Sequence, residues 1–203
     1  MTTGAVHENG ELWVFGYGSL MWRPGFVYLE RVPARLIGLH RALCVLSFVH
    51  RGTPERPGLV LGLDRGGMCR GIAYRVAASA RENTIAYLRE REQVTSVYVE
   101  TVRQIELEDK TRRRVRALCY IVDRSHAQYA GRLTLAESLH HVRQGHGKSG
   151  ANRDYVIETV RALESLGYRE GELHLLAERL GAHAAPKLEP GTAEDAQDLA
   201  PDT

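Results

Sequence analysis

Glu92 stands where a catalytic acid or base would stand. It ends a segment, Ala80 to Glu92, whose pattern predicts a helix. At about 100° per residue, Ile85, Leu88 and Glu92 share one stripe, while Glu90 falls on the opposite side. Ile85 and Leu88 are the core-facing residues, so Glu92 projects inward and Glu82, Glu90 and the arginines are left for solvent. Burial disfavours a charged carboxylate, and so does the negative end of the helix dipole. Both raise the pKa from its ordinary value of about 4.3. A raised but ionisable carboxyl suits a general base near neutral pH. A salt bridge to Arg89 or Arg91 accounts for the same placement, and the helical pattern leaves both readings open.

A second candidate is the turn Gly16-Tyr17-Gly18-Ser19, which follows the apolar residues Leu12 to Phe15. It lacks the third glycine of a dinucleotide fingerprint and the Gly-Lys-Ser/Thr ending of a phosphate loop, and Pro24 and Gly25 interrupt any helix behind it. Its serine follows the second glycine, so it is not a nucleophile elbow. Glycines after a strand allow close approach of a ligand, with N–H groups free for a carboxylate; a tight turn around a buried Tyr17 is the plainer alternative. The nine histidines show no metal-ligand spacing, and adjacent His140 and His141 diverge on a helix. Cys44, Cys69 and Cys119 each lie in an apolar stretch, where a free thiol behaves as a small hydrophobe. No metal and no cofactor are expected.

Composition narrows the class. Hydrophobic residues are 43% and charged residues 26%, as in an ordinary soluble globular protein. No apolar run reaches the ~18 residues that span a bilayer, and Met1 to Glu11 has no signal-peptide pattern, so a cytoplasmic protein is expected. The formal net charge is +2. Without the stretch from Ala185 to Thr203, which is acidic, 26 Lys and Arg face 20 Asp and Glu. That mild excess suits a small anionic substrate and falls short of a nucleic-acid footprint. Basic and aromatic residues do not interleave as single-strand binding requires.

The elements that must position these residues are strands first and helices later. Leu12 to Phe15, Leu36 to Phe48, Leu59 to Asp64, Gly71 to Val76, Ser96 to Leu107 and Arg113 to Asp123 read as strands, and His50 to Gly58 as a Pro- and Gly-rich loop. In the last strand Val115, Ala117, Cys119 and Ile121 predict one apolar face. Ser79 and Glu82 form a capping-box signature before the first helix. Thr134 to Gln144, Asn152 to Leu166 and Glu172 to Leu180 read as helices, each followed by a glycine stop. The pattern predicts one α+β domain over 12–185, between a flexible segment 1–11 and a disordered acidic tail 186–203.

Several motifs resemble the ChaC family of γ-glutamylcyclotransferases. They are Trp13-Val14-Phe15-Gly16-Tyr17-Gly18-Ser19-Leu20-Met21-Trp22-Arg23-Pro24-Gly25-Phe26, His50-Arg51-Gly52-Thr53-Pro54, Gly71-Ile72-Ala73-Tyr74-Arg75-Val76, Tyr87-Leu88-Arg89-Glu90-Arg91-Glu92 and Ser149-Gly150-Ala151-Asn152-Arg153-Asp154-Tyr155. The resemblance runs from about Leu12 to Leu180. It implies a small mixed β-barrel flanked by helices, and an activity that releases 5-oxoproline and cysteinylglycine from glutathione. The family's catalytic glutamate, in an Arg-Glu dipeptide at a helix end, matches Arg91-Glu92. Its substrate loop matches Val14, Phe15, Gly16, Tyr17, Gly18 and Ser19. A substrate-binding tyrosine after the last strand is best matched by Tyr129. Many members continue from the glutamate through Gly-Gly-Tyr-Arg, whereas this chain reads Gln93-Val94-Thr95-Ser96-Val97-Tyr98.

The reading is an intramolecular acyl transfer. The substrate's α-amine attacks its own γ-carbonyl, with Glu92 moving the proton, the Gly16–Ser19 turn holding an anionic oxygen, and Arg51 meeting the distal carboxylate. Turnover of other γ-glutamyl amines or peptides, and non-catalytic sensing of glutathione, are the alternatives. A small-molecule substrate is expected, with neither nucleic acid nor membrane as partner.

Overall fold

The structure, a computed structural model, describes residues 10–92 and 96–181. The expected acidic tail 186–203, Gln93-Val94-Thr95 and residues 1–9 of the expected flexible segment lie outside the described residues. Five strands close a barrel: β1 (Leu12–Gly16), β2 (Glu30–Ser47), β3 (Gly58–Val76), β4 (Tyr98–Leu107) and β5 (Arg114–Val122), in the order β1-β3-β2-β4-β5. Neighbours are antiparallel except at the closure, where β1 pairs in parallel with β5 through Trp13↔Ala117 and Val14↔Leu118. The barrel is therefore mixed, as the resemblance implies.

All of β1 is buried, because it has a strand on each edge and is covered on both faces. An uninterrupted run such as Leu12-Trp13-Val14-Phe15 suits that position better than an alternating one. Trp13, Phe15, Leu36, Ile72, Tyr74 and Leu88 anchor the core, each apolar side chain contributing roughly 1.5–3 kcal/mol on burial.

Three expectations about the strands change. The predicted strands at Leu59 and Gly71 are one strand, β3, because β2 runs alongside and pairs the polar stretch between them. Gly38, Gly66 and Gly67, at φ of +88°, +97° and +67°, absorb the irregularity there. β2 starts at Glu30 rather than Leu36 for the same reason, its first residues pairing with Ile72 to Arg75. In β5, Leu118 and Tyr120 are buried along with Val115, Ala117 and Cys119 of the predicted face, since the strand is covered on both sides, while Ile121 is half-buried.

The helices are α1 (Arg81–Glu92), α2 (Leu135–Gln144), α3 (Asn152–Ser165) and α4 (Gly171–Arg179). α1 buries Thr84, Ile85 and Leu88 and leaves Glu82 and Glu90 exposed. Ser79 does not act as its cap. Ala78–Ala80 wind as a 3-10 turn into the helix, and Arg81 takes the Glu82 carboxylate. A full capping box occurs instead at α2, between Thr134 and Glu137. A short hairpin, β6 (His146–Gly147) and β7 (Gly150–Ala151), precedes α3. The three cysteines are free and buried, their thiols pushed up to about 12 (Cys44), 11 (Cys69) and 12 (Cys119) by desolvation. Among the described residues no helix is long and apolar enough to cross a membrane.

Candidate active site

The side chain of Asn152, at the start of α3, grips the barrel. Its Oδ1 accepts from the Leu59 N–H at 2.6 Å and its Nδ2 donates to the Leu59 carbonyl at 2.8 Å. One helical turn later Tyr155 meets the same strand, its hydroxyl accepting from the Leu61 N–H at 3.2 Å. Tyr98 of β4 donates its hydroxyl to the Leu61 carbonyl at 2.7 Å. Leu61 thus seats two tyrosines in different ways. Tyr98 uses its proton on the backbone, while Tyr155 accepts and keeps its proton for another acceptor.

The carboxyl end of α1 is tied to the turn after β1 by Arg91. Its Nη2 donates to Ser19 Oγ at 2.8 Å, and its Nη1 donates to the Arg23 carbonyl at 2.7 Å and to the Tyr87 hydroxyl at 2.8 Å. Its Nε lies 3.2 Å from Glu92 Oε1. Arg89 faces elsewhere and holds Glu100 through two bonds of 2.8 Å. Of the two arginines adjacent to Glu92 in reach by sequence, Arg91 is the partner, and the ion pair lies in the wall of a cavity.

That cavity has a volume of about 360 Å³, in the range of small-molecule sites. Tyr17, Gly18 and Ser19 come from the turn, Arg91 and Glu92 from α1, Tyr98 and Tyr120 from the barrel, and Tyr155 from α3. His50 and Arg51 come from the loop between β2 and β3. Glu92 is the one carboxylate among the described residues that line it; Arg23, Arg51 and Arg91 are cationic. The Glu92 side chain is 18% exposed, and burial pushes its carboxyl above the ordinary value against the opposing charge and hydrogen bond of Arg91. Burial also raises Tyr17, Tyr98, Tyr120 and Tyr155, and the Glu92 charge raises each of them further. These phenols therefore remain protonated beside the carboxylate. Burial holds His50 below its usual value, with the Arg51 charge adding to the effect.

Residues 12–181 match the family model described as ChaC-like protein. The chain belongs to the ChaC-like family. It is 34% identical over 167 residues to an Escherichia coli protein named glutathione-specific gamma-glutamylcyclotransferase, covering 82% of this chain and 71% of the relative. A Schizosaccharomyces pombe protein of the same name is 30% identical over 193 residues, covering 84% of this chain and 91% of the relative. In fold, the chain is similar to the crystal structure of a yeast gamma-glutamyl cyclotransferase specific to glutathione. The TM-score is 0.79 at 23% identity, covering 85% of this chain and 96% of that one.

In this ChaC-like chain the structure brings Tyr17, Gly18, Ser19, Arg51 and Glu92 to one cavity. Val14, Phe15 and Gly16 are not among its lining residues; all three are buried, the first two in the hydrophobic core. Tyr129 is not brought there. It forms a lone bridge with Val45, and its hydroxyl donates to Asp64 at 2.8 Å, beside Arg124. Cavity residues that the sequence reading passed over include Tyr155, Tyr98, Tyr120 and Arg91 as a clamp. Tyr155 closes the motif Ser149 to Tyr155, and its spacing of three from Asn152 puts both on one helix face. That spacing was the available signal.

Proposed function

We propose that this protein is a γ-glutamylcyclotransferase acting on glutathione, with Glu92 as general base and then general acid. The substrate's α-ammonium loses a proton to the Glu92 carboxylate, and the freed amine attacks the γ-carbonyl carbon. A lactam C–N bond forms and the bond to the cysteinyl nitrogen breaks. That nitrogen takes the proton back from Glu92, and the attacking nitrogen gives up its second proton, which the expelled amine takes to become an ammonium; the products are 5-oxoproline and cysteinylglycine, with no water consumed. Attacker and target share one molecule, so folding the chain back supplies much of the advantage, up to roughly 7–11 kcal/mol in the best intramolecular models.

What supports the reading is an inward carboxylate with a raised pKa in a cavity whose other charged lining groups are cations. Glutathione carries two carboxylates and one ammonium. Arg51 is half committed, donating to the Ala151 carbonyl at 3.0 Å and stacking 5.4 Å over Tyr155, and it serves the distal carboxylate. Tyr155 offers its proton to the γ-carbonyl oxygen. A reducing cytoplasm supplies glutathione and keeps the three thiols free.

Glu92→Gln keeps size and polarity but cannot carry the proton. Formation of 5-oxoproline from glutathione should fall by ~10² to 10⁴, while Glu90→Gln, on the exposed face, stays near wild type. Near-normal turnover by Glu92→Gln would remove Glu92 from the mechanism. Wild-type protein that leaves glutathione intact while releasing 5-oxoproline from other γ-glutamyl amines would redirect the substrate.

A further inference from the structure

Behind the turn after β1 lies a buried cation that the mechanism above does not use. Arg41, on β2, has a side chain with no exposed surface. Its Nε donates to the Tyr17 carbonyl at 2.5 Å, its Nη2 donates to the Arg70 carbonyl at 2.5 Å, and its Nη1 pairs with Glu170 at the start of α4. The Met21 sulfur lies 3.6 Å from Nη2. Arg41 is absent from the cavity wall, whereas Tyr17 and Gly18 are part of it.

Tyr17 and Gly18 share one peptide plane. No peptide bond among the described residues is cis, so the Tyr17 carbonyl and the Gly18 N–H point in opposite directions. With the carbonyl held on Arg41, the N–H is turned away from Arg41, and Gly18 itself lines the cavity. The next two carbonyls are engaged as well. Gly18 O accepts from the Met21 N–H at 2.9 Å, and Ser19 O accepts from the Trp22 and Arg23 N–H groups at 3.2 and 2.8 Å. The Gly18 and Ser19 N–H groups make no backbone hydrogen bond among the described residues. Close packing explains the glycine at 18, where a Cβ would stand 3.2 Å from the Tyr155 hydroxyl.

We infer that Arg41, anchored by Glu170, is a positioning residue that fixes the Tyr17–Gly18 peptide so that the Gly18 N–H meets an anionic oxygen of the substrate. The inference rests on the reading under Proposed function. The guanidinium contributes in two ways. It keeps the peptide from rotating, and its charge on the carbonyl side polarises the N–H toward an anion. The oxygen is either the substrate carboxylate or the alkoxide that develops on the γ-carbonyl. Kinetics separate the two.

Arg41→Met and Glu170→Gln test the assignment at a temperature well below the melting midpoint. Because loss of a whole oxyanion donor costs ~10² to 10³ in rate, Arg41→Met should lower kcat/KM for glutathione by ~10- to 100-fold, and Glu170→Gln by several-fold. A fall in kcat at constant KM identifies the alkoxide, and a rise in KM at constant kcat the carboxylate. A second readout covers an Arg41→Met that does not fold. In protein labelled with 15N-glycine, the Gly18 amide resonance should differ between wild type and Glu170→Gln without ligand, and should move in wild type on saturation with 5-oxoproline. Folded Arg41→Met with kcat/KM within twofold of wild type would overturn the inference. So would Glu170→Gln indistinguishable from wild type in rate and in the Gly18 resonance. Should wild type form no 5-oxoproline, the proposed function falls and takes this inference with it. Loss of activity in Glu92→Gln beside full activity in Arg41→Met removes Arg41 alone.

Discussion

Glu92 is pulled in two directions, and the balance has measurable consequences. Burial raises its carboxyl and Arg91 opposes the rise, leaving it above the ordinary value. The folded chain then holds this proton more tightly than the unfolded chain. Stability contributed by the site is greatest below the ordinary carboxyl value of about 4.3 and is lost as pH climbs through the raised value. Glu92→Gln removes that slope, so its thermal midpoint at pH 7 should equal or exceed that of wild type, and a drop of more than 2–4 °C, about 1 kcal/mol for this size, would argue for a structural ion pair. Activity runs the other way. A general base at Glu92 must be ionised, so kcat/KM should fall as pH drops through the raised value, and Arg91→Gln should move that acid limb to higher pH. Two tyrosines give a further contrast. Tyr155→Phe leaves the Leu61 N–H without its acceptor and removes the hydroxyl proposed to meet the γ-carbonyl; it should cost about 1–3 kcal/mol and lower kcat/KM by ~10-fold. Tyr129→Phe loses only the bond to Asp64 and should leave kcat/KM unchanged. Turnover and thermal midpoints of the pair decide which tyrosine belongs to the site. Helical periodicity was enough to expose Glu92, because its stripe is set by its own helix. It said nothing of Tyr129, which the resemblance supplied, because a tyrosine's role depends on what the far side of the fold brings to it.

At the scale of elements, the loop that carries Arg51 is rigid for a reason that its composition hides. Proline and glycine made residues 50–58 readable as a loop, yet the backbone there is braced on both sides. Lys148 and Ser149 N–H groups donate to the Val49 and His50 carbonyls, each at 2.9 Å. The Arg51 N–H donates to Ser47 Oγ at 2.9 Å. The brace is the β6–β7 hairpin, whose two-residue strands are too short to leave a periodic pattern. Glycine lets the segments touch. A Cβ on Gly145 would stand 2.5 Å from the Arg51 carbonyl oxygen and 2.7 Å from Gly58 Cα, both backbone atoms that cannot swing aside. Gly145→Ala must therefore push the Arg51 backbone. Overpacking of this kind costs about 1–3 kcal/mol, and here it should also raise KM for glutathione through Arg51 while leaving kcat close to wild type. An unchanged KM in a destabilised variant would separate Arg51 from substrate binding.

For the whole molecule, helices and strands were readable where local pattern and glycine stops set them, as at α1 and α3. The closure of the barrel was not, since the parallel pairing of β1 with β5 joins residues a hundred positions apart in a way no local pattern records. The family resemblance supplied the barrel. Charge is the global property that composition did record, as a mild excess of basic residues once the stretch from Ala185 is set aside. The structure concentrates part of that excess at the cavity, through Arg23, Arg51 and Arg91 against Glu92 alone. A substrate with two carboxylates and one ammonium is drawn to such a site, and this attraction weakens as the screening length shrinks from ~20 Å to a few ångström between ~20 mM and ~500 mM salt. KM for glutathione should accordingly rise several-fold over that range. The proton transfer proposed for Glu92 would take place inside the cavity, where salt has little access, so kcat should hold steady. Steady-state kinetics in sodium chloride, with the thermal midpoint followed in parallel, make the comparison. A flat KM would mean that the cations are fully occupied by their partners in the protein and that shape and hydrogen bonding hold the substrate.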